Sequence, residues 1–137
     1  MEFVSKYIKF FKIGEVIQIE EELFRINSMK FRRPGKHGYG KWTMQLISLL
    51  TGRTKTQILK ARTYGQHLEC TKVTYLIQKM DADFLYLKGK GSELERRKLP
   101  SKYLYDDIYS QLKNGTELKM EEFSYKDEII SLLLTEN

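Results

Sequence analysis

The residues best placed to do chemistry lie in twelve positions, "KFRRPGKHGYGK", where Lys36 stands between Gly35 and Gly38, behind Pro34, among Lys30, Arg32, Arg33 and Lys41. Two chemistries suit a lysine so placed. The first is a phosphate loop. Gly35, four residues, Gly40 and Lys41 follow that pattern up to its last position, where Trp42 replaces the Ser or Thr whose hydroxyl would hold Mg²⁺. The pattern must also run from a strand into a helix, and "WTMQLISLL" reads as a strand, so nucleotide hydrolysis is not expected. The second chemistry is recognition by a projecting cation. Gly35 and Gly38 carry no β-carbon and let the chain turn sharply and approach a partner closely, while Pro34 stiffens the entry. Lys36 would then project from a rigid base, with Arg32, Arg33 and Lys41 holding nearby phosphates.

Charge along the chain supports a polyanionic partner. The 137 residues carry a net charge of +6, but residues 23–68 contain ten Lys and Arg and no Asp or Glu. Like charges gathered in this way repel one another unless a partner neutralises them. RNA fits better than a membrane surface, because a basic amphipathic helix cannot form across "KFRRPGKHGYGKW" with its proline and three glycines. No apolar run approaches the roughly 20 residues of a bilayer span, and Glu2, Lys6 and Lys9 break the N-terminal "MEFVSKYIKFF". Cys70 is the single cysteine, so no internal disulfide can form, and His37 and His67 are too few for a His/Cys metal site.

The elements that must position the loop read as short strands. Val16 to Ile19 and Leu23 to Ile26 flank an acidic turn, and Trp42, Met44 and Leu46 alternate onto one face, as a barrel interior requires. "TGR" then turns the chain into "TKTQILKAR", so the basic loop joins two strands. A change in charge balance near Cys70 marks a domain boundary there. Past it, "VTYLIQKMDADFLYL" reads as a hairpin. One helix follows Pro100, with Ser101 as N-cap, Leu104, Ile108 and Leu112 at helical spacing, Tyr105 and Tyr109 packing beside them, and Asn114-Gly115 as its stop. "ELKMEEF" and "EIISLLL" complete a sheet of four or five strands, the content of an OB-type barrel. Cys70 is expected to be a buried small hydrophobe, and Arg96, Arg97 and Lys98 form the only dense basic cluster of this half.

The sequence resembles the eukaryotic and archaeal translation factor 5A family, relatives of bacterial elongation factor P. The resemblance is carried by "PGKHGYGK", which is similar to the family's threonine-glycine-lysine-histidine-glycine-histidine-alanine-lysine, and continues through "LLTGRT" and "RRKLPS" over nearly the whole chain. It implies a mainly β fold of two small barrels: an SH3-like domain over residues 1–70 that carries the loop, then an OB-fold with one helix over 71–137. By the resemblance, Lys36 receives an aminobutyl group from spermidine through deoxyhypusine synthase and is then hydroxylated by deoxyhypusine hydroxylase to hypusine, with no bound cofactor. The family is not enzymatic. It acts in the cytoplasm at the ribosomal exit site, against large-subunit rRNA and the acceptor end of peptidyl-tRNA, and promotes peptide-bond formation at stalls such as proline runs, and also termination. The RNA-contacting residues implied here are Arg32, Arg33, Gly35, Lys36, His37, Gly38, Tyr39 and Lys41. Departures are Pro34 for threonine, Tyr39 for histidine, Gly40 for alanine and Arg32-Arg33 for serine-lysine; proline-glycine-lysine is also how the bacterial loop reads. The rival is a structural RNA-binding or ribosomal protein that uses Lys36 unmodified.

Overall fold

The computed structural model describes residues 1–33, 40–89, 91, 93–99 and 102–135, with the backbone alone at 102–105. The chain divides into two compact units, Met1–Cys70 and Thr71–Asn137. Each is mainly β.

In the first unit, β1 (Val4–Tyr7), a 3-10 turn (Ile8–Phe10), β2 (Val16–Ile19), β3 (Glu22–Arg32), β4 (Lys41–Ser48), β5 (Thr54–Lys60) and β6 (Tyr64–Leu68) follow in chain order. They form a six-stranded sheet ordered β1-β6-β2-β3-β4-β5. The β2–β3 hairpin turns on Glu20 and Glu21, both at positive φ (51 and 66), a two-residue turn whose twist matches that of its strands. Further along β3, Asn27 is an extra residue: pairing passes from Ile26↔Leu46 to Ser28↔Gln45. This bulge moves the alternation by one, so Phe24, Ile26 and then Met29 face inward and Lys30 and Arg32 face away. The core consists of Ile8, Phe11, Ile17, Phe24, Ile26, Met44 and Leu46, with Met29, Trp42 and Leu59 packed against it. Gly65 lets β6 lie on that core, since a Cβ there would stand 2.8 to 3.0 Å from Phe11, Ile8 and Ile17.

A polar cluster ties together one end of this sheet. Glu15, just before β2, accepts the backbone N–H of Lys12 at 2.6 Å and the ammonium of Lys6 on β1 at 3.1 Å. Its other oxygen lies 3.3 Å from Nε2 of His67 on β6. Partial burial works against the Glu15 carboxylate, but the Lys12 amide, Lys6 and His67 together hold its pKa below the usual range. Burial lowers the His67 pKa, against the opposing pull of Glu15.

The second unit contains β7 (Thr71–Met80), β8 (Phe84–Lys88), β9 (Leu94–Lys98), α1 (Lys102–Lys113), β10 (Lys119–Tyr125) and β11 (Glu128–Thr135). Its sheet runs β11-β10-β7-β8-β9, with the helix inserted before the fourth strand of the unit, as in an OB-type barrel. Ile108 is fully buried and Leu112 packs beside it, on a core of Tyr75, Ile77, Leu85, Leu87, Leu118, Met120 and Leu132. The helix stops at Gly115, at φ 78. The Thr116 amide donates to the Gln111 carbonyl and the Gly115 amide to the Leu112 carbonyl, which closes the last turn. Pro100, Ser101 and the side chains of Leu104 and Tyr105 lie outside the described residues. Tyr109 does not pack into the core. It is 49% exposed, with the Lys113 ammonium 6.0 Å from its ring centre, because it sits round the helix from Ile108. Cys70 is half-buried rather than buried, and burial raises its thiol pKa, which keeps it protonated and unreactive.

One member of the basic cluster on β9 is held internally, while Arg96 and Lys98 are exposed. Arg97 donates to Glu122 at 2.6 Å and to Glu95 at 2.5 Å, and Arg96 lies 4.3 Å over the Phe84 ring. Glu122 is buried on β10, a strand that shares no ladder with β9, so this pair holds together parts of the barrel that backbone pairing leaves apart.

Two outcomes follow for stability. Arg97→Ala leaves the buried Glu122 carboxylate unpaired and should lower the unfolding free energy by about 3 kcal/mol, measured by urea denaturation. As pH falls, the unfolded chain protonates at His67 before the folded one does. Stability is therefore complete above the ordinary histidine pKa and declines as pH falls through it, and Glu15 extends the loss to lower pH. Denaturation midpoints at pH 7.5 and 5.5 should differ, and His67→Gln should reduce that difference.

Candidate nucleic-acid interface

The far end of the β3–β4 hairpin carries the candidate site. Past the bulge, residues paired across three neighbouring strands share one face, and the register brings Arg32 opposite Lys41 and Lys41 opposite Lys60. Three cations thus stand side by side at the root of the loop, all exposed. Lys30, two residues back on β3, joins the same face, opposite Thr43, which is in turn opposite Ile58. Like charges directly opposed in a sheet are destabilising. None of these four cations forms an ion pair among the described residues, and the surrounding sequence from 23 to 68 has no carboxylate to offer. An anion with regularly spaced charges, such as a phosphate backbone, is the partner this row fits.

The other face of the same hairpin end makes it rigid. Phe31 pairs with Trp42, ring centres 5.0 Å apart, and Trp42 lies against the core. Gly40 is buried beneath them. A Cβ there would overlap Cε2 and Cζ of the Phe31 ring. The Gly40 carbonyl accepts the Ala61 amide at 2.8 Å, which fixes the end of the loop to the chain leaving β5. Both faces of the root are therefore defined, one by packed aromatics and one by exposed charge.

Of the residues singled out from sequence, Arg32 ends β3, Arg33 follows it and is exposed, and Lys41 opens β4. Gly35, Lys36, His37, Gly38 and Tyr39 lie outside the described residues, as does Pro34. The phosphate-loop pattern fails on structural grounds: Lys41 and Trp42 open a strand, where that motif requires the first turn of a helix. Lys60 and Lys30 were missed as site residues. Only the register, read through the bulge and the β4–β5 turn, brings Lys60 beside Lys41.

Comparison with known proteins agrees with this architecture. No family model matches the chain. Elongation factor P of Rhodopirellula baltica is 30% identical over 116 residues, covering 80% of this chain and 55% of that protein, so the chain spans about half the length of this curated relative. Among solved structures, a translation initiation factor eIF-5A family protein from Naegleria fowleri matches with a TM-score of 0.53 at 17% identity, over 99% of this chain and 98% of that one. The translation initiation factor 5A from Methanococcus jannaschii matches with a TM-score of 0.53 at 13% identity, over 97% and 92%. Fold leads to the 5A factors and sequence to elongation factor P; the chain resembles a translation factor of the 5A and elongation factor P type on both counts.

Proposed function

We propose that this protein is a non-enzymatic translation factor that binds the ribosome at the exit site and uses Lys36, extended to hypusine, to position the acceptor end of peptidyl-tRNA. The observation that carries this reading is the row Arg32–Lys41–Lys60, three opposed cations with no ion pair among the described residues, at the root of the loop that holds Lys36. Such a row is costly in the free protein and becomes favourable when phosphates lie across it. The rigid Phe31–Trp42–Gly40 base suits a device whose task is placement, since a flexible root would spread the tip over many positions.

The chemistry asked of Lys36 is modest. Transfer of an aminobutyl group from spermidine lengthens the arm and adds a second amine, so that charge-assisted donors can reach RNA phosphates and 2′-hydroxyls. Large-subunit rRNA would take the basic face, and the arm would restrain the tRNA end in a reactive pose. Proline is the substrate for which this matters most, because its ring restricts the attack geometry, and orientation alone can recover several kcal/mol of a barrier. Deoxyhypusine synthase and deoxyhypusine hydroxylase are the modifying partners in this reading, and the ribosome-bound cytoplasm is its place of action.

Lys36→Arg keeps the charge but cannot accept the aminobutyl group. A reconstituted translation assay on a proline run should show the variant folded and without stimulation, and the intact mass of the endogenous protein should exceed that of the sequence by an aminobutyl group plus one oxygen. Full stimulation by the variant overturns the role of the modification, and an unmodified endogenous protein favours a structural RNA-binding role. Lys60→Glu separates stability from binding. Relief of the like-charge row should stabilise the protein by about 0.2–1 kcal/mol at low salt. The same change should weaken ribosome binding and alter its salt dependence by about one phosphate contact or more. A face that is merely solvated would show the first effect without the second.

A further inference from the structure

A second feature of the first unit is not used by the loop. Where β1 ends and β5 passes into β6 lies a solvent-open cleft of about 380 Å³, lined by Tyr7, Lys9, Gly40, Ala61 and Arg62. Among the described residues its lining offers the Tyr7 ring, the Lys9 ammonium and no carboxylate. The volume is at the lower end of the roughly 300–1,000 Å³ of small-ligand sites. Tyr7 is backed by Tyr64, its partner in the last pair of the β1–β6 ladder: the rings are stacked, centres 4.2 Å apart and 25° from parallel. Tyr7 and Tyr64 are 37% and 59% exposed, and Phe10, 6.4 Å from Tyr7, is 57% exposed. Three aromatic residues thus meet solvent together, beside cations and close to the loop root, to which Gly40 connects the cleft.

We propose that this cleft holds one unpaired RNA nucleotide, its base extending the Tyr64–Tyr7 stack and its phosphate held by Lys9. Stacked tyrosines on an open surface are an extensible column, and a base is the flat ring that column accepts without regard to identity. The lining's charge selects an anionic ligand. That disfavours an apolar peptide, which would gain from Phe10 and Tyr7 but nothing from Lys9. A duplex is disfavoured too, because its bases are already stacked on one another and cannot enter a cleft of this size. The cleft adds a second RNA contact to the same unit, on β1 and the β5–β6 turn rather than on the β3–β4 hairpin.

Fluorescence anisotropy of the unmodified full chain with a fluorescein-labelled triadenylate tests this. Tyr7→Ala should weaken binding about tenfold, while Tyr7→Phe, which keeps the ring, should retain it. Lys9→Gln should weaken binding and lower the salt slope by about 1. If Tyr7→Ala does not fold, as judged by circular dichroism, Tyr64→Ala substitutes for it: the exposed ring is removed and the column loses its backing, with a smaller loss expected. Equal affinity for the wild type and the tyrosine variants overturns the proposal, as does a short RNA duplex that competes as well as the single strand. Loss of binding in Lys36→Ala with none in Tyr7→Ala also overturns it, and leaves the role proposed for the loop untouched.

Discussion

Repulsion among Arg32, Lys41 and Lys60 is the constraint the first unit is organised around. In most sheets a register that aligned three cations would slip or be balanced by glutamates on the neighbouring strand. Here the register is pinned by other means. The bulge at Asn27 and the inward row of Ile26, Met29, Leu46 and Met44 specify the pairing, because a shift of one residue would exchange that apolar row for Lys30 and Arg32. The apolar face thus fixes the position of charges that would otherwise move apart.

The two units use charge in opposite ways. In the second, buried carboxylates are matched internally: Glu122 with Arg97, and Glu121 with Lys72 at 3.2 Å. These pairs help to hold a barrel together. In the first, Glu15 is placed among Lys6, Lys12 and His67 at the sheet end formed by β1, β2 and β6, away in sequence from the cationic strands. Ion pairs therefore serve architecture where the surface is near neutral, and their absence marks the surface that faces RNA in the proposed function.

Much of this was legible in the sequence. Trp42, Met44 and Leu46 alternate as a half-buried strand must, and the glycines at 52 and 115 occupy the positive-φ positions that turns and helix ends require. The helix was visible in the spacing of Ile108 and Leu112. Other features depend on distance in the fold. Alternation continued from Phe24 and Ile26 would have buried Lys30 and Arg32, and nothing local to Asn27 announces the extra residue that prevents it. That Arg97 is occupied within the cluster Arg96, Arg97 and Lys98 could not be read locally, because Glu122 lies 25 residues later. The closeness of His67 to Glu15 likewise arises only once β6 lies between β1 and β2. Lys36 itself was conspicuous from its neighbours alone, as a residue whose role lies outside the fold tends to be.

The contact between Gly40 and the Phe31 ring has an evolutionary consequence. This chain has glycine at position 40, and the Phe31 ring fills the space that a methyl group would take. The two sites form a lock with two parts: a larger residue at 40 requires a smaller or differently turned one at 31. Among descendants of this sequence, substitutions at these positions should therefore arise together, so that the loop drifts in composition while its root keeps one shape.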